Sequence, residues 1–230
     1  MRNLRISEGE YYHVFNRGVN KQVIFHDFGD YTRFLFLILH LQFSGRIEHL
    51  SRVVKEFARS FGQYGQSGQH SVLATSNVEA QERNVELVAF SLMPNHFHLL
   101  LKQTAEGGIS SYMHRVLNAY GKYHNTKHDK SGHVFQGPYK AVHVGDDVHL
   151  MHLSAYIHRN PRELNEWLTK EDRYPWSSYQ DYVRNSRWGN LLIDKVIMER
   201  FESKDEYEKF VETSAAKLSE EERAALSMDI

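Results

Sequence analysis

The sequence predicts an α+β fold in which an antiparallel sheet carries helices on one face, on a ferredoxin-like (RRM-like) or split βαβ plan. Three observations lead there. The segments run strand, helices, strand, strand, helix, strand, helix. Val85–Met93 and His96–Gln103 read as two apolar strands joined by a Pro94-Asn95 turn. Between the strands, apolar side chains recur at helical spacing.

Each element has a local cause. Glu10 to Arg17 (EYYHVFNR) alternates and is rich in β-formers, and it ends at the Asn16-Arg17-Gly18 turn. Asp30 is the expected N-cap of a helix, with Phe34, Leu37, Ile38 and Leu41 on one face. Leu50, Val53, Val54, Phe57 and Phe61 mark a second amphipathic helix. Residues 62–83 are Gly/Ser/Gln-rich with little periodicity, a long loop or hairpin. After the two central strands, Gly107-Gly108 leads into a helix from about Ile109 to His128, and Tyr139 to Val144 is a short strand. Asp146 or Asp147 caps the next helix, which Pro161 stops after Asn160. Residues 1–185 are expected to form the principal domain, with a polar insertion at about 44–84, and residues 186–230 an acidic helical extension.

Composition narrows the chemistry. The chain has 230 residues, 41% hydrophobic and 25% charged, which fits a folded globular protein and argues against wholesale disorder. No stretch approaches the ~18–20 apolar residues of a membrane span. The N-terminal MRNLRISEGEYY lacks the apolar core of a secretory signal, so a cytoplasmic location without membrane contact is expected. Zero cysteines exclude disulfides, a thiolate nucleophile and Cys-ligated zinc, whereas 15 histidines make an imidazole metal site accessible. The net charge of −1 hides an asymmetry. Glu199 to Ile230 carries −5, while Tyr112 to His143 carries +4 and five histidines. A basic centre with an acidic tail leaves a polyanionic partner open.

Four groups of residues carry candidate chemistry. His96 and His98 flank Phe97 on one strand, so both imidazoles share a face while Phe97 points to the core. Such a pair is a ready bidentate metal site, although two histidines two apart also occur by chance in a histidine-rich chain. Tyr156 and Asn160 lie one helical turn apart, with His152 one turn earlier; a half-buried tyrosine, a helix cap and a solvated histidine are the bland alternatives. The segment SGHVFQGPYKA (Ser131 to Ala141) is either a turn with an edge strand or a surface for phosphates and stacked bases, through His133, Gln136 and Lys140. YPWSSY, with Trp176, is either an aromatic cap on the core or a stacking platform.

The combination of YHVFNRG, FSLMPNHFHLLLK, SGHVFQGPYKA, SAYIHRNP and YPWSSY, in that order, resembles the single-tyrosine HUH (His-hydrophobic-His) transposases of insertion sequences, most closely the REP-associated tyrosine transposases. The resemblance covers about Tyr11 to Tyr182 and implies an HUH endonuclease core. It assigns Tyr156 as the nucleophile, and His96, His98 and Asn160 as ligands of Mg2+ or Mn2+. It departs from the family in its longer 44–83 segment, in Pro138 where an arginine is frequent, and in the acidic tail.

The implied activity is metal-dependent cleavage and rejoining of single-stranded or hairpin DNA, REP-like palindromes included, through a 5′-phosphotyrosine. Arg17, Arg115, Lys122, His133, Gln136, Lys140, His152 and Trp176 are the expected DNA contacts. Nucleoid-associated activity follows from the same likeness. A monomer is favoured because the link Lys140 to Asp147 is short, with a homodimer as the alternative. Tyr120 and Tyr123 are rival nucleophiles. Two other functions compete: a non-catalytic RRM-like nucleic-acid-binding regulator, and a phosphodiesterase that uses water.

Overall fold

The computed structural model describes residues 6–64 and 82–214. Strand β1 (Tyr11–Arg17) is followed by helices α1 (Phe28–His40) and α2 (Leu50–Tyr64), then by strands β2 (Val85–Met93) and β3 (His96–Gln103). Helix α3 (Gly108–Lys127), strand β4 (Lys140–Val144) and helix α4 (Asp147–Arg159) complete the core plan. Short helices α5 (Tyr179–Val183), α6 (Lys195–Met198) and α7 (Lys204–Thr213) follow. The sheet order is β2-β3-β1-β4, with β1–β3, β1–β4 and β2–β3 all antiparallel. Two crossovers, each through α1 or α3, therefore skip one strand, which is the ferredoxin-like topology.

The register fixes which residues share a face. Arg17 lies opposite His96, and Phe15 lies opposite His98 and Lys140. His96, His98, His13, Phe15, Arg17 and Lys140 thus share one face, while Tyr12, Val14, Phe97 and Leu99 share the other. On the Phe97 face, α1 and α3 build the core. The Phe34 ring packs on Phe97 at 4.9 Å and on Tyr120 at 5.1 Å. The Tyr112 hydroxyl donates to the Ile38 carbonyl at 2.7 Å. The histidine face is covered too, by α4, whose Tyr156 ring lies 5.5 Å from that of His98.

Two expectations shift at α1. Its N-cap is Asp27, whose side chain accepts from the Asp30 amide. Asp30 is instead a buried residue of the first turn. Moreover, α1 is buried on every side from Thr32 to His40, because α2 covers the flank that a two-layer fold would leave in water. The Gly/Ser/Gln-rich stretch falls mainly on residues 65–81, and the end of the acidic tail on 215–230; both lie outside the described residues.

The YPWSSY segment closes an exposed sheet edge. Among the described residues, β2 has no strand on its outer side. Leu92 N donates to the Trp176 carbonyl, Ser178 N to the Phe90 carbonyl, and the Tyr174 and Tyr182 hydroxyls to the Leu92 and Val88 carbonyls. An edge paired this way offers no template for another chain. Trp176 is buried and stacks on Tyr31 at 4.7 Å, with Phe61 at 5.2 Å. The extension from 186 is no appendage up to Ser214. Trp188, Leu191, Ile197, Tyr207 and Val211 join the core, and Ile193 N donates to the Leu87 carbonyl. No described helix is long and apolar enough to cross a membrane.

Candidate active site

The hairpin between β2 and β3 sets the site. Asn95 Oδ1 in its turn accepts from Nδ1 of His96 at 2.7 Å, which fixes that ring's orientation. The turn is held in its own right. Gly18 N donates to the Asn95 carbonyl, Ile24 N and Phe25 N donate to the Pro94 carbonyl, and Asn95 Nδ2 donates to the Lys21 carbonyl. Only glycine fits at position 18, since a Cβ there would stand 2.2 Å from the Gln22 carbonyl oxygen.

His98 is oriented by a residue that sequence reasoning passed over. Nε2 of His13, fully buried on β1, lies 2.8 Å from Nδ1 of His98, and the two rings stack with centroids 5.0 Å apart. One ring donates and the other accepts, so His98 presents its Nε2 edge away from His13. Such an imidazole partner behind a metal-ligating histidine sets both tautomer and direction. In sequence, His13 is one member of an alternating strand, and only the β1–β3 register reveals its partner.

Helix α4 brings the second half. Asp146 caps it by accepting from His149 N at 2.7 Å. His158 anchors it: Nδ1 is 2.7 Å from the Tyr207 hydroxyl and Nε2 2.8 Å from Ser178 Oγ, which also accepts from Phe90 N. Thus SAYIHRNP and YPWSSY meet, and Ser178 couples the helix to β2. Tyr156, half-buried, packs edge-on against His98 and lies 6.2 Å from the His13 ring. Asn160 caps α4 and is buried; its Nδ2 donates to the Tyr156 carbonyl at 3.0 Å, whereas its Oδ1 has no hydrogen-bond partner of normal geometry. Burial pulls His96 down to about 4, the Arg17 guanidinium adds to the shift, and the nearby Asn160 amide opposes it. The ring is therefore a neutral donor at pH 7.

Asn95, His96, His98 and Tyr156 line a cleft of about 320 Å³ that also takes in Arg17, Lys21, Lys140 and Glu163. Desolvation raises Glu163 from its ordinary carboxylate value. Neither Lys21 nor Glu163 stands out in the sequence. Arg17 donates through Nε to Gln136 Oε1 at 2.8 Å, so Gln136 acts on the cleft by holding Arg17.

The other expected contacts lie elsewhere. Arg115 spends its guanidinium on the backbone carbonyls of Leu41, Phe43 and Gly45, tying α3 to the end of α1. Lys122 is exposed on α3 beside a separate depression with Arg33 and Lys127, and His133 is exposed on the loop before β4. His152 turns from Tyr156 toward Ser214 Oγ at 3.3 Å and the Phe210 ring, because α7 packs there. Trp176 is a core cap, as its stack on Tyr31 requires. The rival tyrosines are spent: the Tyr120 hydroxyl donates to the Ile24 carbonyl at 2.5 Å, and that of Tyr123 to Asp30 Oδ1 at 3.2 Å. Desolvation raises both phenols.

Residues 66–160, which span the hairpin, β4 and Tyr156, match the family model described as Transposase IS200 like. The chain is similar to the IS200-like transposases. Its fold is shared with a solved REP-associated tyrosine transposase bound to a REP hairpin, at a TM-score of 0.51 and 14% identity, over 84% of this chain and 92% of that one. No curated protein matches the chain. The likeness to this transposase family supports the coarse reading of a transposase-type DNA endonuclease.

Proposed function

We propose that this protein is a single-strand DNA endonuclease and strand transferase that cuts and rejoins hairpin or REP-like palindromic DNA through Tyr156. The observation that carries the reading is the convergence, within one chain, of the Tyr156 ring, the oriented His96–His98 pair and the buried Asn160 amide beside His96.

The donor set fits a divalent cation. The buried Asn160 amide oxygen, which has no hydrogen bond of normal geometry, lies beside the neutral His96 imidazole, so an oxygen and a nitrogen donor stand together. His96, His98 and Asn160 are the residues that would hold the ion. Two imidazoles and an amide oxygen also suit zinc or nickel; the family likeness favours Mg2+ or Mn2+. Bound there, the ion would supply charge withdrawal at a phosphate and help orient it.

The chain's own residues do the rest. His13 and Asn95 hold the two imidazoles in place. Arg17, Lys21 and Lys140 line the cleft and give a phosphodiester backbone a cationic wall, so binding weakens with salt. Tyr156 Oη attacks phosphorus. The Oη–P bond forms as the P–O3′ bond breaks, the phenol proton passes to water, and the departing 3′ oxygen takes up a proton. The 5′ end stays on the protein as a phosphotyrosine, and a 3′-hydroxyl attacking that bond reverses the step without ATP. Lys140 to Asp147 is too short a link to carry α4 far from its own sheet, which supports a monomer.

The geometry disfavours the non-catalytic alternative. An RRM-like binder displays exposed aromatic rings on its open sheet face. Here that face carries histidines, and Phe15 on it is buried. The test is incubation of the protein with Mn2+ and end-labelled hairpin DNA, run on a denaturing gel with and without protease. A protease-sensitive, slow-migrating DNA species is expected. Free 5′-phosphate without an adduct would identify water as the nucleophile, and uncut DNA would leave a binding module.

A further inference from the structure

A second histidine cluster lies on the other side of the sheet. His124 and His128 stand one turn apart on the last turns of α3, and His26 reaches them from the loop before α1. One ring nitrogen from each lies within 4.8 Å of the other two. We propose that His26, His124 and His128 form a structural metal site for a borderline divalent ion, zinc by its donor chemistry, distinct from the His96–His98–Asn160 set.

Two features point to an ion. His124 is fully buried, yet neither of its ring nitrogens has a hydrogen-bond partner of normal geometry. A polar group left so costs stability, and a metal bond removes that cost. Next, Nε2 of His128 lies 3.0 Å from Asp30 Oδ2, the carboxylate–histidine pairing that turns the remaining nitrogen, Nδ1, toward an ion. Asp30 is itself fixed, accepting from His26 N at 2.9 Å and from Lys127 Nζ at 2.7 Å.

Three imidazoles with no thiolate and no amide suit zinc better than Mg2+ or Mn2+, which prefer oxygen. Zinc–nitrogen bonds of about 2.0–2.1 Å in a tetrahedron place the nitrogens about 3.3 Å apart, so the rings close inward on the ion. His26 is exposed, His124 buried and His128 partly buried.

The consequence reaches the cleft. His26 follows Ile24 and Phe25, whose amides hold the Pro94 carbonyl, and the same turn carries Asn95, which orients His96. An ion joining His26 to α3 clamps this loop against the helix and stiffens the turn. Its role is positional. The two nearby hydroxyls, of Tyr120 and Tyr123, are already committed to the Ile24 carbonyl and to Asp30.

The test uses the full chain carrying His96→Ala and His98→Ala, which removes the other imidazole pair. After chelator treatment it is titrated with Zn2+ against a chromophoric chelator, and with Co2+ by visible absorption. One equivalent of zinc at micromolar or tighter affinity is expected, with the cobalt bands of a four-coordinate site. Adding His26→Ala, on the surface, or His128→Ala, half-exposed, weakens zinc binding by at least ~10-fold each, with the circular dichroism spectrum unchanged. No zinc held even at millimolar concentration, or affinity unchanged by the two substitutions together, would overturn the proposal. Should the His96/His98 variant fail to fold, the same comparison runs on the unsubstituted chain. There the stoichiometry drops by one equivalent on His26→Ala with His128→Ala; an unchanged stoichiometry contradicts the site.

Discussion

The His96–His98 pair on β3 and the His124–His128 pair on α3 are built from the same side chain and sit on opposite sides of one sheet, but they differ in what surrounds them. Each has a ring held by a neighbour, His13 behind His98 and Asp30 behind His128. Around the β3 pair lie Tyr156, the buried amide of Asn160 and a cleft lined by Arg17, Lys21 and Lys140. Around the α3 pair the hydroxyls are consumed by a carbonyl and a carboxylate, and Asp30 is already saturated by Lys127, His26 and His128. Imidazoles alone therefore do not make a reactive centre. A neighbouring hydroxyl and room for a phosphate are what the β3 cluster has and the α3 cluster lacks.

The largest effect should come from the hydroxyl that separates the two clusters. Tyr156→Phe is expected to lower adduct formation by at least ~1000-fold, as loss of a nucleophile does, while hairpin binding by filter retention stays within a few-fold. A normal adduct yield would erase the distinction between the clusters. Next, His96→Ala or His98→Ala should each lower metal-dependent cleavage by ~100-fold or more. The same assay on His26→Ala should show a much smaller loss, since that ring touches no part of the cleft and acts on it only through the Pro94-Asn95 turn.

A smaller effect probes the ring behind the ligand. His13→Ala should weaken metal binding in the cleft by about 10–100-fold, read as a rightward shift of the Mn2+ dependence of cleavage. An unchanged Mn2+ dependence would make His13 a mere core residue.

The smallest concerns acid stability, and it involves neither cluster. Burial pulls His40 down to about 4 and His158 to about 3, against an ordinary value of 6.5. The unfolded chain binds protons at these positions that the folded chain refuses. Stability is therefore full above pH ~6.5 and falls as the pH drops toward 4, measured as the urea midpoint. A midpoint flat from pH 7 to pH 4 would show that these two rings accept protons where they lie.

How much of this was legible in the sequence differs element by element. Both central strands were bounded correctly because a Pro-Asn turn and uninterrupted apolar runs leave little choice. The likeness to the IS200-like transposases was also readable, because FSLMPNHFHLLLK, SGHVFQGPYKA and the Tyr156 region lie within the matched residues 66–160. The missed groups were those whose meaning depends on register or on distant partners. His13 looks like any residue of an alternating strand until β1 is paired with β3. Trp176 is equally suited to stacking on a base or on Tyr31, and only α1 packing chooses. Arg115 carries charge in a basic stretch, but three carbonyls at the end of α1 claim it. His152 shares a helical face with Tyr156, yet α7, some sixty residues later, draws it away. Local spacing places a side chain on a face; tertiary contacts decide whether its polar atoms remain available.

The most direct measurement is peptide mapping of the covalent species. The protein is reacted with hairpin DNA and Mn2+, the DNA is trimmed by nuclease, and the digested protein is analysed by mass spectrometry. A nucleotide mass on the peptide containing Tyr156 is the expected result. The same mass on a peptide containing Tyr120 or Tyr123, or cleaved DNA bearing a free 5′-phosphate with every peptide unmodified, would contradict the account.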